Sequence, residues 1–131
     1  MSQNYEDRDE VLSNKQELVE YIEGGCKPIS EWKIGTEHEK FPYHLSDLRP
    51  LTYKEKNGIL KLLTELQRFG WQPELENGNI IALRKEGDGT ISLEPSGQLE
   101  LSGEVVSTIH QTCDQVGRHL QQVKAVASEL D

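Results

Sequence analysis

The feature that most constrains this chain is a two-residue alternation of polar and apolar side chains between positions 91 and 102. The even positions carry serine, glutamate or glutamine. The odd positions on either side of a Pro95-Ser96-Gly97 bend are apolar, and they are Ile91, Leu93, Leu99 and Leu101. Successive side chains of a strand point to opposite faces of a sheet, so this stretch predicts two strands with one buried face and one polar, acidic face.

Three segments have the periodicity of amphipathic helices, and they are predicted to span residues 13–23, 52–69 and 107–131. The first is followed by Gly24-Gly25 and the second by Gly70, which are typical helix ends. The predicted capping residues are Ser13, Thr52, and Ser107 or Thr108.

Further strands are predicted at residues 32–40, 80–84 and 90–93, with Gly87-Asp88-Gly89 as a hairpin turn. Residues 42–50 contain two prolines and predict a loop. We expect both tryptophans, Trp32 and Trp71, in the core. The predicted fold class is therefore α+β, with a mostly antiparallel sheet that helices cover on one face.

Two carboxylates one residue apart, Glu37 and Glu39, share one face of the predicted strand at 32–40, while His38 points to the other. If this strand lies beside the alternating stretch, Glu94, Glu100 and the Gln98 amide join them. Like charges ~4 Å apart repel by roughly 4 kcal/mol at an effective dielectric of about 20, so such a cluster favours a cation.

An all-oxygen ligand set selects Mg²⁺ or Mn²⁺, and magnesium that keeps open positions typically bridges to phosphates. The pattern thus indicates nucleotide chemistry. The alternative is that these acids are solvated residues on an exposed sheet face. No phosphate-binding glycine loop is present in the sequence.

The net charge of −9 argues against partners that are nucleic acids or anionic membranes. Residues 1–12 are polar and predicted to be flexible, and residues 13–131 are predicted to form one domain. The first residues are too acidic for a signal or transit peptide, so we expect a cytoplasmic location. Cys26 and Cys113 are expected to be free thiols.

Three motifs carry a resemblance to a known family. They are Gly-Thr-Glu-His-Glu-Lys-Phe at 35–41, Ile-Ser-Leu-Glu-Pro-Ser-Gly-Gln-Leu-Glu-Leu-Ser-Gly at 91–103 and His-Gln-Thr-Cys at 110–113. From about Leu18 onwards the chain resembles the amino-terminal part of glutamate-cysteine ligase of the plant and proteobacterial type. The match departs from the family pattern at Pro42, and at Ser96, which stands where a glycine is usual.

The resemblance implies an ATP-dependent ligase that makes γ-glutamylcysteine from L-glutamate and L-cysteine, with a fold similar to part of the glutamine synthetase catalytic domain. It implies that Mg²⁺ is held by Glu37, Glu39, Glu94 and Glu100, and that Gln98 contacts either the substrate or one of the metal ligands. Family members are several times longer, and most of the residues that bind glutamate and ATP lie in the part that this chain lacks. The chain alone is therefore expected to be inactive.

Two alternatives remain open at this point. One is a non-catalytic binding or oligomerisation module that keeps the ligase fold and pairs with a complementary chain or with a second copy. The other is a sister ligase that joins glutamate to another amine, because the acceptor pocket is not expected within these residues.

Overall fold

A computed structural model describes residues 11–130, which fall into two compact units that divide between Trp32 and Lys33. Residues 1–12 were predicted to be flexible, and positions 1–10 of this segment lie outside the described residues. Across residues 11–130, no helix has the length and apolar character that a membrane crossing requires.

The first unit contains α1, Lys15–Gly24, and one turn of 3-10 helix, Ile29–Glu31. Asn14 caps α1, because its side-chain oxygen accepts hydrogen bonds from the backbone N–H groups of Gln16 and Glu17. The predicted cap Ser13 was one residue too early. Trp32 is 65% exposed, so its predicted place in the core was wrong.

The second unit is a five-stranded sheet in the order β1-β5-β4-β3-β2, in which every neighbouring pair is antiparallel. Its strands are β1 Glu37–Lys40, β2 Gln72–Glu76, β3 Asn79–Lys85, β4 Gly89–Glu94 and β5 Gln98–Ser102. Its α-helices are α2 Ile59–Leu66 and α3 Ile109–Leu130. The predicted α+β class is confirmed.

Both helices of this unit pack on the face of the sheet that carries the odd-numbered residues of β4 and β5. The buried core consists of Ile59, Leu62, Leu63 and Leu66 of α2, Trp71, Val126 of α3, and Leu83, Ile91, Leu99 and Leu101 of the sheet. The predicted burial of Trp71 is confirmed. We call this side the helix-covered face.

A buried hydrogen-bond relay fixes β1 and the end of β5 to α3. Thr36 Oγ1 donates to Gln115 Oε1 at 2.8 Å, and Gln115 Nε2 donates to the Glu104 carbonyl at 2.9 Å. Gly103 N–H donates to the Thr36 carbonyl at 2.7 Å, and a Cβ at Gly103 would lie 2.6 Å from Gln115 Oε1. Only glycine therefore fits at position 103 without a shift of the Gln115 side chain.

The second helix begins later than its periodicity predicts. Gly58, not Thr52, is the N-cap residue of α2. Backbone carbonyls of the preceding turn bind the first helical N–H groups, since Ile59 donates to Thr52 and Leu60 donates to Tyr53, both at 3.0 Å. The predicted stop is confirmed, because Gly70 adopts a left-handed conformation with φ 90°.

Strand β2, Gln72–Glu76, is absent from the sequence-based prediction. Asn77 and Gly78 are both at positive φ, 49° and 79°, and join β2 to β3 as a hairpin. Asn-Gly is the typical sequence of a two-residue hairpin turn, so the signal was present. Strand β2 was missed because it contains Pro73 and glutamates, residue types that are depleted in strands.

Candidate functional site

The five residues singled out from the sequence all lie on the face of the sheet opposite the helices of the second unit. We call this set the acidic face, and it consists of Glu37, Glu39, Glu94, Gln98 and Glu100. Glu37 and Glu39 are exposed, and the other three are half-buried. Strands β1, β5 and β4 are adjacent, so residues distant in sequence meet on neighbouring strands.

The strand register places Glu39 directly opposite Glu100. Residues in this relation have Cβ atoms about 4.5–5.5 Å apart, and like charges there are destabilising. Glu37 lies opposite Ser102, one diagonal step from Glu100. The two acidic motifs are therefore brought together by pairing of β1 with β5.

Glu94 reaches the same face from the other side of β5. It lies opposite Gln98, at the bend between β4 and β5. Ser96 in this bend has φ 67° and ψ 18°, a left-handed conformation that is uncommon for a side-chain-bearing residue. Ser96 stands where a glycine is usual in the family, and it adopts the backbone conformation that a glycine would provide.

Two serines belong to this region although no role was predicted for them. Ser102 Oγ donates a hydrogen bond to Glu100 Oε1 at 2.6 Å. Ser92 is paired with Glu100 on its other side. The even-numbered alternation placed both serines on the polar face, but only the strand register shows that they flank Glu100.

No cationic side chain among residues 11–130 forms an ion pair with Glu37, Glu39, Glu94 or Glu100. Arg84, on the same side of the sheet in β3, is paired with Glu74 at 2.6 Å. The negative charge of the acidic face is thus left uncompensated by these residues.

Oxygen ligands of the acidic face suit a hard divalent cation, because the set contains carboxylates, an amide and hydroxyls but no thiolate. Within residues 11–130, however, no three His, Cys, Asp or Glu side chains stand close enough together to hold a metal ion as they lie. The backbone brings the acids to one surface, but their side chains do not form a metal-binding group within the described residues.

The helix-covered side of the same strand is basic. His38 and Lys40 of β1 lie opposite Leu101 and Leu99, and His119 of α3 is 2% exposed. Burial, followed by the Lys40 and His38 charges, lowers the pKa of His119 to about 3. The predicted position of His38 on the opposite face is confirmed, whereas the burial of His119 was not predicted.

Comparison with known proteins identifies the relatives of this chain. Residues 33–131 match the family described as glutamate-cysteine ligase family 2 (GCS2). Over 116 residues, 88% of this chain, it is 51% identical to the chloroplastic glutamate-cysteine ligase of Medicago truncatula and 51% identical to chloroplastic glutamate-cysteine ligase A of Oryza sativa subsp. japonica. It is 47% identical over the same length to the chloroplastic enzyme of Arabidopsis thaliana.

The match covers only 22–23% of the length of these relatives. The expected cytoplasmic location was wrong by this comparison, since the relatives are named chloroplastic. The resemblance read from the three motifs is confirmed, including the much greater length of the enzymes that share them.

Proposed function

The chain belongs to glutamate-cysteine ligase family 2, and we propose that its acidic face is the magnesium-binding part of an ATP-dependent ligase. The reaction joins the γ-carboxyl group of L-glutamate to L-cysteine. ATP phosphorylates the γ-carboxylate, and the cysteine amine then displaces phosphate to give γ-glutamylcysteine, the first step of glutathione synthesis.

One observation carries this proposal. Glu39 and Glu100 lie directly opposite each other on adjacent strands, and neither has a cationic partner among residues 11–130. Their repulsion is relieved by a cation from solution, and the oxygen-only set favours Mg²⁺. Bound there, Mg²⁺ would neutralise phosphate charge.

The residues around this pair have distinct roles in the proposal. Glu37 and Glu94 supply further carboxylates, one from each flanking strand. Ser102 holds Glu100 through its 2.6 Å hydrogen bond, which restricts the carboxylate to fewer orientations. Gln98, opposite Glu94, offers an amide to substrate or to a carboxylate.

The isolated chain is proposed to be inactive without the remaining part of the ligase. It spans less than a quarter of its relatives, and β1 and β2 are the two edges of its sheet. Edge strands present unpaired backbone groups to further strands. We therefore propose that the complementary part of the ligase supplies the groups that bind glutamate, cysteine and the rest of ATP.

Titration with Mn²⁺, followed by electron paramagnetic resonance, tests the metal site directly. Glu100→Gln should weaken Mn²⁺ binding at least about tenfold, which corresponds to about 1.4 kcal/mol. Glu76→Gln is the matched control, because Glu76 is an exposed strand glutamate on β2, at the far edge of the sheet. Equal Mn²⁺ affinity in both variants would overturn the proposed site.

An assay for γ-glutamylcysteine with ATP, Mg²⁺, glutamate and cysteine tests the second half of the proposal. The chain alone should give no product above the level without protein. Turnover by the isolated chain would refute its proposed dependence on a complementary part while leaving the metal titration as the test of the acidic face.

A further inference from the structure

A cavity of about 220 Å³ lies on the helix-covered face at the end of β1, away from the acidic face. Strand, loop and both helices contribute to its walls, which include Lys40, Phe41, Tyr43, Leu62, Leu99 and Val123. Most of this lining is apolar. The volume is below the roughly 300 Å³ at which pockets for drug-sized molecules begin, so it suits a small ligand with an apolar body.

Lys40 brings an unpaired positive charge to this cavity. Its Nζ donates a hydrogen bond to the His38 carbonyl at 2.9 Å. No ion pair involves it among residues 11–130. Burial lowers the pKa of Lys40 to about 8. A half-buried ammonium group without a counter-ion is unfavourable, and a carboxylate beside it would relieve that cost.

The other titratable groups near Lys40 do not provide this carboxylate. His38 of β1 and His119 of α3 are basic groups. His44, in the loop after β1, lies 3.2 Å from Glu55. Glu55 in turn accepts hydrogen bonds from Arg49 and from the Thr52 backbone, so its charge is already compensated.

We propose that this cavity binds a small amphipathic monocarboxylate, with the carboxylate paired to Lys40 and the hydrocarbon part between the strand and the helices. Charge complementarity defines the ligand class, because the cavity combines apolar walls with the Lys40 ammonium group, which has no counter-ion among residues 11–130. The site is independent of the proposed magnesium site, since Lys40 and Glu39 point to opposite faces of β1.

Hexanoate is a suitable probe, and hexanol is its neutral counterpart. Isothermal titration of the full chain at pH 7 should show hexanoate binding at least tenfold more tightly than hexanol. Lys40→Met should reduce hexanoate affinity to that of hexanol, whereas Lys40→Arg should retain most of it. Lys124→Met is the matched control, since Lys124 is exposed on α3, and it should leave hexanoate binding unchanged.

Nuclear magnetic resonance gives a second readout. In the unaltered chain with ¹³C-methylated lysines, saturating hexanoate should shift the Lys40 resonance, because its carboxylate lies beside the ammonium group. Hexanol should leave that resonance in place.

Two results would overturn the proposal. The first is equal affinity of hexanoate and hexanol in the unaltered chain, which would mean that Lys40 does not contribute. The second is an unmoved Lys40 resonance in the presence of hexanoate, and this measurement needs no variant that could fail to fold. Neither result bears on the Mn²⁺ titration, because no metal is present in these experiments.

Discussion

The two faces of β1 have opposite charge and opposite environments. On one side, Glu37 and Glu39 are exposed, with no cation from residues 11–130 beside them. On the other, His38 and Lys40 lie half-buried beneath the helices, with no carboxylate beside Lys40 in the described part of the chain. A four-residue strand therefore separates an exposed acidic surface from a half-buried basic one.

The two faces differ because an uncompensated charge costs less free energy when it is exposed to water than when it is buried. An exposed carboxylate keeps most of its hydration, so the acidic face tolerates repulsion between its like charges. A buried base loses hydration, which favours its neutral form and lowers its pKa, as the pKa values of His119 and Lys40 indicate. Substitutions on the covered face should thus change stability strongly, and substitutions on the open face should change it little.

The largest expected effect is on the covered face. Leu63 is fully buried, so Leu63→Ala should lower the free energy of unfolding by about 2–5 kcal/mol through lost burial and a cavity. The matched control is Leu75→Ala, the same change at a strand residue that is 63% exposed, with an expected effect within about 0.5 kcal/mol. Urea denaturation measures both, and similar losses would contradict the proposed division between faces.

A smaller effect concerns acid stability. The folded-state pKa of His119, about 3, lies below the ordinary value near 6.5, so the folded chain binds fewer protons than the unfolded chain. This contribution to stability is complete above pH 6.5 and is lost as the pH falls towards 3. The expected slope is roughly 1 kcal/mol per pH unit.

His119→Leu should flatten most of this slope between pH 6.5 and 4.5, measured by urea denaturation at each pH. A weaker slope should remain, because burial also lowers the pKa of His38. His110→Leu is the control, since His110 is exposed on the same helix. If the two variants have the same pH profile, His119 is not the source of the acid sensitivity.

The smallest expected effect is on the acidic face. Glu39→Gln removes one of two opposed carboxylates, so it should raise the free energy of unfolding by up to about 1 kcal/mol without divalent metal. Adding MgCl₂ should stabilise the unaltered chain more than the variant, with NaCl of equal ionic strength as the control. A variant less stable than the parent in metal-free buffer would argue against repulsion at this pair.

Much of this arrangement could be predicted from the sequence, because the alternation of apolar and polar residues along a strand determines which face each side chain occupies. Alternation correctly assigned Ile91 and Leu101 to the core and Glu94 and Glu100 to the opposite side. The direct pairing of Glu39 with Glu100 could not be predicted in this way. It depends on contacts between segments about 60 residues apart in sequence, which no local pattern encodes.

The errors have related causes. The start of α2 was placed at Thr52 because capping propensity does not reveal that backbone carbonyls of the preceding turn can satisfy the helix. Trp32 was expected in the core, but its side chain is exposed. His119 received no role because the orientation of a helix against a sheet determines which of its polar residues become buried.

The hydrogen bonds of Thr36 have a consequence for how this family of sequences can vary in length. Inserting or deleting a single residue just before β1 would rotate the strand by one position, turning Glu37 and Glu39 inward and Lys40 outward. Thr36 resists that slip because its carbonyl is bound to Gly103 and its hydroxyl to Gln115. The spacing between Thr36 and the two glutamates therefore decides which face of β1 carries them.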